Sequence, residues 1–167
     1  LATAAGHGGT TITATSGTIT GNASANTLNG MAGNDALAGG TGDDTYVVDA
    51  TGDVITEELD AGADLVKTGV SYLLADNVEH LTLTGTGAID GTGNALINTL
   101  TGNNAANLLA GAEADDTIAG GGGADTLDGG TGNDSMTGGT GGDTYIVDSV
   151  ADVVTEVAGP GIDTIQS

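Results

Sequence analysis

Basic residues are almost missing from this 167-residue chain: one lysine, Lys67, stands against 23 acidic side chains, for a formal net charge of −22. So strong an anion repels a phosphate backbone, which excludes nucleic acid as a partner. Cysteine is absent too, so neither a disulfide framework nor a thiol nucleophile can be built. The two histidines, His7 and His80, are unpaired and leave nothing for zinc. Phe and Trp are missing, and aromatics make up 2% of the residues, so a core built on large rings is excluded. No apolar run approaches the roughly 18 residues of a membrane span, and no basic-then-apolar leader opens the chain.

What the chain does have is glycine, 32 residues of it, and 38% hydrophobic residues that are spaced rather than scattered. High charge and abundant glycine favour disorder, but the spacing argues for order. Glycine recurs every nine residues at Gly93, Gly102, Gly111, Gly120, Gly129 and Gly138. Five positions after each stands Asn98, Asn107, Asp116, Asp125, Asp134 or Asp143, and two further on an apolar residue: Leu100, Leu109, Ile118, Leu127, Met136 or Tyr145. An earlier block, with Gly21, Gly30 and Gly39, repeats the columns through Asn26, Asp35, Asp44 and Asp53. A nine-residue period of this kind is the signature of a solenoid.

The blocks are copies of a longer unit. GGTGDDTYVVD at 39–49 matches GGTGGDTYIVD at 138–148, and each block runs into a similar tail, DVITEELDAGADLV at 53–66 and DVVTEVAGPGIDTI at 152–165. Four regions of one continuous solenoid are expected: a spacer-like partial coil over 1–20, a first block and tail over 21–66, a spacer without metal turns over 67–92, and a second block and tail over 93–167. The spacer alternates apolar and polar residues, as in EHLTLTG, which reads as strand.

A nonapeptide with one dependable apolar position cannot carry a helical stripe. It reads as a Gly-rich turn followed by a very short strand whose apolar residue points inward. Two units then make an 18-residue coil, and the expected fold is all-β: a right-handed parallel β-roll, a β-solenoid with two short-stranded sheets. Residues 18 apart stack at about 4.8 Å, placing Asp116 over Asp134 and Asp152, Asp125 over Asp143, and Asp35 over Asp53. Bare carboxylates at that spacing repel, so the columns call for cations between coils. Carboxylates and flexible Gly-turn carbonyls suit Ca²⁺, whereas Mg²⁺ demands a tighter octahedron. Asn26, Asn98 and Asn107 replace the acid in their turns, which are expected to stack through amide hydrogen bonds and hold little calcium.

GGTGDDTYV, GGGGADTLD, GGTGNDSMT and GGTGGDTYI resemble the G-G-x-G-x-D-x-U-x nonapeptide of the RTX (repeats-in-toxin) family of hemolysin-type exoproteins, whose calcium-binding β-roll is a standard example of such a repeat. The resemblance implies calcium held between turns by Asp35, Asp44, Asp116, Asp125, Asp134 and Asp143, with Asp53 and Asp152 as additions, and by turn carbonyls at Gly33, Gly42, Gly123, Gly132 and Gly141. Roughly four to six ions would cancel about half of the charge. Asp64 and Asp163 fall 20 rather than 18 residues after Asp44 and Asp143 and are weaker candidates. Glu57 and Glu156 occupy equivalent places in the tails and could add ligands or cap a coil. Asp43, Asp115 and Asp128 sit beside the column as solvated turn residues, and Tyr46 and Tyr145 as core packing.

No Ser-His-Asp set, HExxH or phosphate loop is present, and acids repeated many times over are unlike a unique active site, so no enzyme is expected. The expected function is a calcium-dependent structural repeat region of a secreted bacterial protein, exported by the one-step (type I) route that the resemblance implies and folding in extracellular calcium. Two alternatives stand beside it: a filament, surface-layer or matrix protein cemented by calcium through head-to-tail stacking, and an accessory module of a secreted enzyme, adhesin or toxin whose active part lies outside this chain. A Thr-rich ice-binding face is a remote fourth reading.

Overall fold

Turns every nine residues leave room only for short strands. The computed structural model describes residues 2–3, 9–14, 17–156 and 161–167; His7, other parts of the expected partial coil over 1–20, and 157–160 of the second tail lie outside the described residues. The strands are β1 (Ala2–Thr3), β2 (Thr11–Thr13), β3 (Gly17–Thr20), β4 (Thr27–Asn29), β5 (Asp35–Ala38), β6 (Thr45–Val48), β7 (Val54–Ile55), β8 (Leu65–Thr68), β9 (Tyr72–Leu73) and β10 (His80–Leu83). They continue as β11 (Gly91–Thr92), β12 (Thr99–Thr101), β13 (Leu108–Glu113), β14 (Thr117–Gly122), β15 (Thr126–Thr131), β16 (Ser135–Thr140), β17 (Thr144–Ile146), β18 (Val153–Thr155) and β19 (Thr164–Gln166). Among the described residues there is no helix.

Even-numbered strands from β2 to β18 form one nine-stranded parallel sheet. The odd-numbered strands form the other wall, so the chain is an all-β parallel solenoid, as the period demands. That wall is not continuous: β1-β3-β5-β7 make a four-stranded sheet and β9 to β19 a six-stranded one. Three sheets therefore stand where two were expected. The gap between β7 and β9 opens a cleft of about 460 Å³ between Ile55–Glu57 and Leu74–Asn77. It is bridged where the Asn77 side chain donates to the Glu57 carbonyl at 3.0 Å.

The apolar position of each repeat points between the walls. On the even wall, register stacks Ile12, Leu28, Tyr46, Val66, Leu81, Leu100, Ile118 and Met136 in a single row. Opposite lie Ile19, Leu37 and Ile55, then Leu109, Leu127 and Tyr145. All of these side chains are buried, and each such burial contributes about 1.5–3 kcal/mol. Near β11 the core narrows. A side chain on Gly91 would come 2.8 Å from Leu81 and 3.1 Å from Leu109, whose methyl groups already fill that space.

One turn departs from the glycine pattern at two positions. Ala112 and Ala114 hold φ values of 90° and 74°, where the matching slots one coil later are Gly130 and Gly132. An L-residue pays about 1–2 kcal/mol for left-handed backbone, partly offset by the greater freedom glycine has when unfolded. Ala112→Gly should therefore raise stability by about 0.5–1 kcal/mol, read as a higher urea midpoint in saturating calcium.

Candidate metal centre

The aspartate columns run along the edges where turns enter strands. One precedes the even strands: the backbone N–H of Asn98 donates to Asp116 Oδ1 at 2.7 Å, that of Asp116 to Asp134 at 2.8 Å, and that of Asp134 to Asp152 at 3.0 Å. Earlier in the same column Asn26 donates to Asp44 at 2.6 Å and Asp44 to Asp64 at 2.7 Å. The other column precedes the odd strands: Gly17 to Asp35, Asp35 to Asp53, Asn107 to Asp125, Asp125 to Asp143 and Asp143 to Asp163, at 2.6–3.0 Å. Each acid thus spends one oxygen tying its coil to the coil before it. The stacked pairs read from the 18-residue spacing are brought together.

The second oxygen is what remains. Oδ2 of Asp35, Asp44, Asp64, Asp116, Asp125, Asp134 and Asp143 is buried and accepts no hydrogen bond. A buried carboxylate oxygen without a donor is costly. The first glycine of each repeat makes room for it: a Cβ on Gly120 would stand 2.5 Å from Asp125 Oδ2 and 2.7 Å from the Gly138 carbonyl oxygen. This glycine has no positive φ; its missing side chain leaves space for the acid. Gly33, Gly42, Gly123, Gly132 and Gly141 all have positive φ, and a Cβ on Gly132 or Gly141 would collide with the Ala114 or Gly123 carbonyl oxygen of the neighbouring coil. Unpaired carboxylate oxygens and backbone carbonyls therefore flank narrow, side-chain-free gaps between coils. That donor set fits a hard cation such as Ca²⁺.

Not every candidate keeps an open oxygen. Asp53 Oδ2 accepts from the N–H groups of Asp49 and Ala50, and Asp152 Oδ2 from those of Asp148 and Ser149. The asparagines close their own turns instead of stacking amide on amide: Asn26, Asn98 and Asn107 accept from the N–H four residues earlier, and Asn98 and Asn107 donate to carbonyls of the preceding coil. Asp43, Asp115 and Asp128 each accept a turn N–H and stand outside the column.

Three features were undervalued or missed in the sequence. Asp64 and Asp163 occupy full column positions, because the tail turns absorb two extra residues and β8 and β19 regain register at Thr45↔Leu65 and Thr144↔Thr164. Glu79 continues the even column, with Oε2 accepting from Asp64 N at 2.8 Å. The acid-x-apolar pattern of Glu79-His80-Leu81 was the available signal. Glu57 takes the place of a first glycine and gathers with Asp44 and Asp64; Glu156 does the same with Asp143 and Asp163. The first gathering lies on the even edge and the second on the odd edge, so the two tails face opposite ways.

Electrostatics agree with an uncompensated site. Burial pushes Asp116 and Asp125 up to about 6 from an ordinary 3.8; the column hydrogen bond pulls back part of that, and the stacked Asp134 or Asp143 adds to the rise. Asp64 is likewise pushed up to about 6, and Glu57 from 4.5 to about 7, burial again leading. Asp44 and Asp134 rise for the same reason.

Short coils wound in parallel, with unpaired carboxylates columned along both turn edges, define a cation-binding β-roll. The model of the RTX calcium-binding nonapeptide repeat matches in four copies, at residues 11–46, 92–127, 111–145 and 119–154, together more than half of the chain. The chain belongs to that family, whose repeats are structural and bind calcium. No curated protein sequence and no solved structure matches it.

Proposed function

We propose that calcium drives the folding of this chain outside the cell, and that the folded roll is a structural repeat region of a secreted bacterial protein. The observation that carries the reading is the row of buried carboxylate oxygens without a donor, in a chain with a single basic side chain, Lys67, which is exposed. Calcium would be held between coils by Asp35, Asp44, Asp116, Asp125, Asp134 and Asp143 with the carbonyls of Gly33, Gly42, Gly123, Gly132 and Gly141. Asp64 joins them, while Asp53 and Asp152 close the ends of their blocks. Roughly four to six ions are expected. The roll would run as one solenoid through 21–66, the metal-poor spacer 67–92 and 93–167. Its partners would be calcium and, by head-to-tail stacking, further copies.

Coupled folding and binding makes such a chain expanded where calcium is scarce and compact where it is plentiful, which suits export in an unfolded state. Counting ions by calorimetry tests the ligand column. Asp125→Ala with Asp143→Ala should lower calcium stoichiometry by at least one ion, whereas Asp43→Ala with Asp128→Ala should leave it in place. Equal losses in the two pairs would refute the assignment.

A further inference from the structure

The tail turn at 57–64 is built differently from every repeat turn. In the repeats, a glycine precedes the column acid by five residues, and any side chain there would press on that acid. In the tail, Glu57 fills that slot and Asp64 follows seven residues later. The two extra residues lengthen the turn enough to accept a side chain without breaking strand register. Glu57 Oε1 then accepts from the Gly39 N–H of the coil before at 3.2 Å, and the same N–H reaches the Tyr46 hydroxyl at 2.7 Å. Asp44, Glu57 and Asp64 each bring a carboxylate oxygen within 4.8 Å of the others.

Burial separates this group from an ordinary acidic patch. Asp44 is 1% exposed, Glu57 7% and Asp64 0%. Asp44 Oδ2, Glu57 Oε2 and Asp64 Oδ2 all lack a hydrogen-bond partner. A column position offers one such oxygen per coil, but here three converge, and among the described residues no basic side chain pairs with them. Asp143, Glu156 and Asp163 gather in the same way, with the Tyr145 hydroxyl donating to Glu156, but there Glu156 and Asp163 are exposed.

We infer that Asp44, Glu57 and Asp64 form a second kind of calcium site, a three-carboxylate site that closes the first repeat block and fills before the column sites. The inference rests on the reading of the roll as calcium-folded. More carboxylates per ion raise calcium affinity, and the site clamps the coil that borders the cleft between β7 and β9. There the odd wall loses its strand pairing, so an ion would hold the coil where hydrogen bonds do not.

Tyr46 supplies the readout. The chain has three tyrosines and no Trp or Phe, and terbium(III), a hard stand-in for calcium, emits when an excited ring lies beside it. With Tyr145→Phe silencing the second cluster, titration of the full chain should give emission that rises with the first ion bound and is quenched by excess calcium. Glu57→Gln should move that rise to at least about tenfold higher terbium, and Asp128→Asn should leave it in place. Should Glu57→Gln not fold, the order of filling in the parent decides: emission that appears only with the last ions overturns the inference, as does an unshifted curve in the variant. Far-UV circular dichroism of the same samples keeps the two ideas apart. Strand formation with unshifted emission defeats the second site alone, whereas strand content indifferent to metal defeats calcium-driven folding.

Discussion

Chelating calcium from the folded chain at neutral pH should abolish its far-UV strand signal, and restoring calcium should bring it back. A domain of this kind keeps about 5–15 kcal/mol of net stability, while a buried charge left without a partner costs several kcal/mol. Column acids on both edges are buried with an unanswered oxygen, so even a few of them ionised without metal exceed that net stability. The chain then relieves the repulsion by expanding. Magnesium at the same concentration should restore much less strand, because its small octahedron is ill matched to carbonyl-rich gaps. Strand content unaffected by chelator would remove the basis of the functional reading.

Protons should do part of the work of calcium. The folded values of Asp64, Asp116 and Asp125 stand near 6 and that of Glu57 near 7, above ordinary values of 3.8 and 4.5. Acids raised on folding bind protons more tightly in the roll than in the open chain. Their contribution favours folding fully below about pH 4 and is lost as pH rises through 6 to 7. The chelated chain should therefore gain strand on acidification from pH 7 towards 4, which is the reverse of ordinary acid denaturation. The calcium-loaded chain should release its ions across the same interval, because metal and proton compete for the same oxygens. Circular dichroism against pH, with and without chelator, measures both effects. A chelated chain that stays unordered down to pH 4 would show that the column acids do not govern folding.

The period made the solenoid legible because each coil repeats one physical problem: one inward apolar residue and one acid at the turn, every nine residues. The 18-residue stacks of Asp116 on Asp134 and Asp125 on Asp143 followed from counting alone. Counting failed where the turn, rather than the strand, changed length. Asp64 and Asp163 looked displaced by two residues, but a turn can bulge while β8 and β19 stay paired, since only the strands carry the ladder. The apolar residue two places on, Val66 or Ile165, was the better guide to register. The break in the odd wall could not be counted either. It depends on where the chain goes after Ile55, and the two-residue period of the spacer is the same on either wall.

The tails face opposite edges because 99 residues, an odd number of nonapeptides, separate matching points in the two blocks. Two nonapeptides make a full coil and one makes half, so repeat number acts on orientation as parity. Gaining or losing a single repeat would rotate everything downstream by half a coil and swap which edge presents the next three-carboxylate turn. Gaining or losing a pair would only change the length. A lineage that varies its repeats in pairs can lengthen the roll while keeping whatever follows it aimed in one direction.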